Sequence, residues 1–366
     1  MSTINAGRTA EVVRSTPVLG TAVLVLVASL PLWFIQTRFV LSVATLTLIF
    51  MVASLGWNII SGFGGQISFG HSIFFGIGAY TTVLLQARYG VNAWLGVALG
   101  ALLALAVALF LGWVTLGLRG IYFALATFAS TLVFAILTGH FDEFTGGEVG
   151  LTVPLLDPSP ANFSFENRLW YYYIALVLAA LSFIVCHLVL KSRLGLQLRA
   201  IQADQDAAQA CGVMAFRVKL VGLGMSAVIA ALAGSVYIQY IGFIDPHSAF
   251  GAAVATQIAV IAFVGGAGRL WGPVIGAVLL VPLQQLLNSG LAAYPSGFNL
   301  VVYAIVILVI LWAEPRGIMS MPWGRWTSRL RGRRAGPHTP AGAGGPPRPA
   351  EQPEQSSAMS VPGGQS

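Results

Sequence analysis

Ten apolar runs divide this chain, near residues 17–35, 39–60, 72–87, 93–116, 120–138, 169–190, 219–241, 253–264, 272–288 and 298–313. A membrane span needs about 20 apolar residues and rarely fewer than about 17. The pattern therefore predicts an all-α, polytopic transmembrane helix bundle of about ten spans (8–10) within residues 17–315. The third and eighth runs fall short of that limit and are expected to be tilted, broken or re-entrant. Arg8 and Arg14 precede the first run, which exceeds the roughly 7–15 apolar residues of a signal segment. It is read as a retained first span, preceded by a cytoplasmic N-terminus at 1–16.

The polar positions are as informative as the apolar ones. In residues 56–80, GWNIISGFGGQISFGHSIFFGIGAY, one apolar segment ends in glycines interleaved with Ser, Gln and His before the next begins. Backbone groups freed inside lipid have no water to bind, so such a break belongs where it is buried in protein or lines a cavity. One reading makes it a substrate path; the other makes it a glycine-permitted turn with close helix packing. Gly64-Gly65 precedes Ile77-Gly78-Ala79, and Gly265-Gly266 precedes Ile275-Gly276-Ala277. Two glycine-interrupted segments in corresponding positions point to internal repetition of the kind that builds transport sites.

Composition narrows the class. The chain is 57% hydrophobic and 8% charged with mean hydropathy +0.81, against about 25% charged residues in soluble domains. The net charge of +7 is uneven. Arg316, Arg325, Arg329, Arg331, Arg333 and Arg334 follow the last apolar run, which suits a cytoplasmic, lipid-facing flank and not a nucleic-acid site. Residues 191–219 carry Lys191, Arg193, Arg199, Arg217 and Lys219 and are expected to be cytoplasmic; the acidic segment 139–168 is expected to face outward. Ten spans with both termini cytoplasmic satisfy these assignments, with Arg38 and Arg88 as mild violations. The Pro/Gly/Ala/Ser/Gln-rich tail at 335–366 is expected to be disordered, giving 316–366 as a basic flank and tail. Cys186 and Cys211 indicate neither a disulfide framework nor a metal site.

The loop 191–219 is long and polar for this chain. Ala200 to Cys211 contains no Gly or Pro and is rich in Ala and Gln, which predicts a short helix. Gly212 follows as a C-terminal stop. Asp204 lies near the helix start, where the dipole favours an anion. Ala207, Ala208 and Cys211 are expected to form one small, smooth face. The loop is either a docking handle for a cytoplasmic partner or an amphipathic helix resting on the membrane.

Asp206-Ala207-Ala208, followed after three residues by Gly212, resembles the EAA-x-x-x-G loop of ABC importer permeases. The chain is similar, more specifically, to branched-chain amino-acid permeases of the LivM/LivH type. The similar stretches are residues 56–80, LRGIYFALATFA at 118–129, TGGEVGL at 145–151, residues 192–237, and FVGGAGRLWGPVIGA at 263–277. They occur in order over about 50–315, and the TGGEVGL stretch favours the LivM branch. The resemblance implies a coupling helix that docks into an ATPase subunit, carried here by Arg199, Asp204, Asp206, Ala207, Ala208 and Gly212. It implies an outward docking place for a periplasmic or lipid-anchored binding protein at Thr145, Gly146 and Gly147. It also implies a second permease subunit of the LivH kind, two ABC ATPases that use the ATP, and the bacterial inner membrane as location. The chain itself would bind no cofactor. Two departures stand out: Asp206 replaces Glu, and Arg269 occupies a position that is usually small or hydroxylated in the family.

The chemistry of such a cargo sets requirements. A zwitterion with an apolar side chain needs dipoles for its charged ends and an apolar wall for the rest. Backbone N–H groups at a broken helix supply an anion site without fixed charge. Ser61, Gly64, Gly65, Gln66, Ser68 and His71 could contribute to this first break and Phe75 to the wall; His71 could equally be a packed core histidine. Gly265, Gly266, Gly268 and Arg269 form the second break. The apolar runs hold almost no ionisable groups, unlike ion-coupled carriers. The chain has no G-x-x-x-x-G-K-[ST] element and so is not the ATPase. An enzyme would need convergent catalytic groups; Asp245 and His247 beside Pro246 are the nearest candidates and read as a solvated turn. The competing readings are the same machinery carrying urea, amides or aromatic acids, and a self-contained channel or carrier.

Overall fold

Each apolar run that falls among the described residues forms a helix. The structure is a computed structural model that describes residues 38–154, 159–291, 294–295, 297–314 and 317–320. The expected first span, the N-terminus at 1–16, Arg316 and the basic tail beyond residue 320 lie outside the described residues. Helix α1 (Arg38–Trp57) runs without interruption into a π-helical turn, Asn58–Phe63. Then come α2 (His71–Tyr89), α3 (Ala93–Thr115), α4 (Ile121–His140), the single turn α5 (Asp142–Thr145) and strand β1 (Leu151–Thr152). Helix α6 (Leu169–Lys191) leads to two short helices, α7 (Arg193–Ala203) and α8 (Gln205–Ala210), and to the long α9 (Ala215–Ile241). The chain finishes with β2 (Phe243–Ile244), α10 (Pro246–Phe250), α11 (Ala252–Gly265), α12 (Gly272–Gly290) and α13 (Phe298–Ala313).

The bundle is all-α as expected, but seven described helices, not ten, have the length and apolarity of a membrane span. The run 17–35 is not described, and α13 has only 16 residues. The run 72–87 forms α2, which carries His71, Thr81, Thr82, Gln86 and Arg88. Most of α2 is buried among other helices, so its surface meets protein and needs less apolarity than a lipid-facing span. The short eighth run is one half of a broken span, Pro246–Gly265, interrupted at Gly251.

Small residues set the packing. On α3 the buried positions Gly96, Gly100, Ala104, Ala108 and Gly112 recur every four residues and form one seam. A Cβ at Gly100 would lie 3.1 Å from the Gly78 carbonyl oxygen, so the seam brings the α3 and α2 backbones close. The two positions paired by the internal repetition behave alike. A Cβ at Gly78 would lie 2.1 Å from the Ala231 carbonyl oxygen, and one at Gly276 would lie 1.9 Å from that of Ile261. Both glycines are crossing points where only a hydrogen fits. Helix α9 touches α1, α2, α3, α6 and α7, and carries much of the core.

Candidate functional site: two glycine breaks and a loop helix

The first break leaves the π-helical turn at Gly64 and rejoins a helix at His71. The backbone groups of Ser68 and Phe69 in this break find partners inside the protein, as an embedded irregular segment requires. The Trp57 indole N–H donates to the Ser68 carbonyl (2.6 Å), and the Ser68 N–H donates to Ser61 Oγ (3.2 Å). The Phe69 N–H donates to Thr127 Oγ1 (3.1 Å), while Thr131 Oγ1 donates to the Phe69 carbonyl (3.0 Å). His71 Nε2 meets Ser226 Oγ at 2.6 Å, and Ser226 Oγ donates to the Gly56 carbonyl (2.5 Å). Gln66 Oε1 and His71 Nδ1 are buried without a hydrogen-bond partner among the described residues. Buried polar atoms are normally satisfied, so these atoms have unused capacity at the break. A small cavity opens beside it, with Ser68, Thr115, Thr127 and Ser130 on its polar side and Phe74 and Leu223 on its apolar side.

Phe75 lies in the core. It stacks on Phe50 with centroids 6.1 Å apart and is tilted against Tyr237 at 5.2 Å.

The second break lies between α11 and α12. Gly266 (φ +119°) and Gly268 (φ +78°) take backbone conformations that L side chains rarely adopt. A Cβ at Gly265 would lie 1.8 Å from the Gly272 carbonyl oxygen. Asn58 locks the two breaks together: its Oδ1 accepts from the Gly268 N–H (2.9 Å), and its Nδ2 donates to the Arg269 carbonyl (3.0 Å). Arg269 presents an exposed side chain at this junction.

The loop 191–219 packs against the same place. Gln202 Nε2 donates to the Gly62 carbonyl (3.1 Å), and a Cβ on Gly65 would lie 2.8 Å from Gln202 Cγ. The single helix expected from Ala200 to Cys211 is in fact two, divided at Asp204 in an extended conformation (φ −158°, ψ 114°). Asp204 Oδ1 accepts from the N–H groups of Asp206 (2.9 Å) and Ala207 (3.0 Å), so it caps α8 instead of lying within a helix. Ala207, Ala208 and Cys211 do not share one face: Ala208 is buried against the bundle, whereas Ala207 and Cys211 are exposed. Gly212 (φ +86°) ends α8 as expected. Arg199 is exposed. Lys219 Nζ donates to Gln205 Oε1 (2.5 Å), tying α8 to α9.

Arg119, which the spacing alone did not single out, forms a bidentate pair with Asp206 at 3.0 and 2.9 Å. The hydrogen bonds and charge of Arg119 hold the Asp206 carboxyl below its usual pKa, and Asp206 raises that of Arg119. Thr115, Thr127 and Ser130 were missed for a similar reason, since an isolated hydroxyl on an apolar helix carries no pattern of its own.

At the opposite end of α4, Thr145 Oγ1 donates to the carbonyls of Thr138 and Phe141. Gly146 (φ +74°) and Gly147 (φ +57°) then turn the chain. It continues into β1, which pairs antiparallel with β2. Glu148 lies 3.5 Å from His247, and Asp245 caps α10 through a capping box with Ser248. Those groups are engaged in turn and cap structure, not gathered as catalytic groups.

Membrane-length helices, two interlocked glycine breaks and a loop helix seated on them define a polytopic membrane protein with broken helices in its interior. The sequence profile of the family described as the branched-chain amino acid transport system permease component matches residues 39–311, and the chain belongs to that family. It is 29% identical over 325 residues to the high-affinity branched-chain amino acid transport system permease protein LivM of Escherichia coli (strain K12), covering 82% of this chain and 74% of that protein. It is 27% identical to LivH of Salmonella typhimurium, over 80% of this chain and 97% of that protein. It is also 27% identical to the autoinducer 2 import system permease protein LsrC of Yersinia enterocolitica, over 85% and 88% respectively. No solved structure matches it.

Proposed function

We propose that this chain is the LivM-like permease subunit of an ABC importer for branched-chain or related hydrophobic amino acids. It works in the bacterial inner membrane with both termini cytoplasmic. It pairs with a LivH-like permease, and its loop 191–219 docks on one of two separate ABC ATPases, which bind and hydrolyse the ATP. A binding protein delivers cargo at Thr145–Gly147. The observation that carries this reading is the junction where Gln202 of the loop holds Gly62 of the first break, which Asn58 in turn holds to the second. A push on the loop is thereby delivered to both breaks at once. Beside the first break, Ser68 and Thr127 place hydroxyls next to the apolar side chains of Phe74 and Leu223 in a cavity of water size.

The test is uptake of labelled leucine into vesicles holding the full complex. ATP-dependent accumulation that needs the binding protein is expected; uptake by this chain alone, without ATP, would overturn the reading in favour of a channel or carrier. The similarity to an autoinducer 2 permease favours a second reading of the cargo, in which the same framework carries a different small polar molecule. Competition of leucine uptake by urea, amides and aromatic acids separates the two.

A further inference from the structure

Helix α4 is attached to the rest of the protein in an unusual way. Its buried residues are Phe123, Thr127, Thr131, Ala135 and Gly139, one every four positions, so a single narrow stripe faces the bundle. Beside the stripe, Phe128 and Phe134 are half-buried against Phe69 and Phe250, while Ile121, Leu125, Leu132 and Ile136 on the outer face are exposed. Two members of the stripe grip the first break: Thr127 takes the Phe69 N–H and Thr131 gives to the Phe69 carbonyl. At the helix's start, Gly120 takes a left-handed conformation (φ +57°) and a Cβ there would meet nothing within 4 Å, so the turn is uncrowded. Just before it, Arg119 holds Asp206 of α8 by its bidentate pair. Arg119 is thus the point where α8 is tied to the helix whose stripe holds Phe69.

We propose that Arg119 is a positioning residue for coupling: through Asp206 it makes α4 follow α8, and α4 carries that movement to Phe69 in the first break by way of Thr127 and Thr131. This inference rests on the proposed docking role of the loop 191–219. It adds a second route from loop to break, separate from Gln202. The two routes start on different helices, α7 and α8, and meet the first break at different places, Gly62 and Phe69, so a movement of the loop as a whole acts on both ends of the segment between them. The planar guanidinium suits the task because its fork fixes the orientation of the carboxylate as well as its distance.

The test uses the complete complex, with partner permease, ATPases and binding protein, in lipid nanodiscs for ATP hydrolysis and in vesicles for labelled leucine uptake. The wild type must move leucine with ATP; if it does not, the proposed function itself fails, and that is visible before any variant is made. Arg119→Ala removes an exposed side chain and leaves folding intact. The variant is expected to retain its ATPases and its hydrolysis while leucine moved per ATP falls about three- to fivefold, the scale an exposed pair can hold. Arg119→Lys keeps the charge but not the fork and is expected to recover part of the ratio. Thr131→Val, at the far end of the route, is expected to lower the same ratio. An unchanged ratio in Arg119→Ala overturns the proposal. So does loss of the ATPases from that variant, which would make Arg119 a docking residue, and so does an unchanged ratio in Thr131→Val.

Discussion

Gln202, on the loop between α6 and α9, donates a hydrogen bond to the backbone carbonyl of Gly62, 140 positions earlier in the chain. The partners belong to the two segments that sequence alone marks as functional, and their contact makes them one mechanical unit. Gln202→Ala should leave that carbonyl without its partner. A net loss of about 0.5–1.5 kcal/mol is expected, measurable as a lower melting temperature in detergent, together with reduced leucine uptake.

Gly65 takes φ +66° and lies under Gln202. Gly65→Ala should cost about 1–2 kcal/mol from the left-handed backbone alone, and the new methyl group should displace Gln202. Gly65→Leu should abolish uptake while the protein still inserts. Uptake at the wild-type rate in Gly65→Leu would show that the break tolerates bulk and is a passive turn.

Asn58 spans the two breaks with one donor and one acceptor. Asn58→Leu should remove the part-buried hydrogen bonds to the Gly268 N–H and the Arg269 carbonyl, at about 0.5–1.5 kcal/mol each. Asn58→Asp keeps an acceptor for Gly268 but turns a carboxylate oxygen on the Arg269 carbonyl, so it should rescue little. Thermal unfolding of the two variants side by side checks this, and full rescue by Asp would argue against the paired geometry.

Gly212→Pro and Asp206→Lys should each abolish energised uptake without preventing insertion. The Gly212 N–H donates to the Gln209 carbonyl at 2.9 Å with φ +86°, and proline has neither the N–H nor that φ. Asp206→Lys sets a second cation against Arg119. Normal uptake in both variants would remove the loop from the coupling path.

The Asp206 carboxyl is held below its ordinary value of 3.8, first by the hydrogen bonds from Arg119 and then by its charge. A carboxyl lowered on folding contributes stability that is present above its unfolded pKa and is lost as pH falls through the lower folded value. The pair should therefore stay formed from neutral pH down to about pH 4. ATP-driven leucine uptake between about pH 5 and 8 should carry no inflection from this group, which a pH series of wild type against Arg119→Ala would reveal.

The sequence by itself determined where the helices lie, where two of them break, and which loop stands out. Lipid acts on each residue through its own transfer free energy, so a run of apolar side chains announces a helix wherever it falls. Glycines announce breaks because other residues rarely take φ near +66° and none lets two backbones touch as at Gly78 and Gly276. The stop at Gly212 was legible for the same local reason. Only the tertiary structure decided the pairings: Arg119 with Asp206, 87 positions away, and Asn58 with Gly268, 210 away. These depend on how each helix is rotated about its axis and how closely it packs, and no local pattern encodes either. The split of the loop helix at Asp204 belongs there too. Its side chain can either ride a helix or cap one, and the requirement to place Gln202 on Gly62 and Asp206 on Arg119 selects the cap.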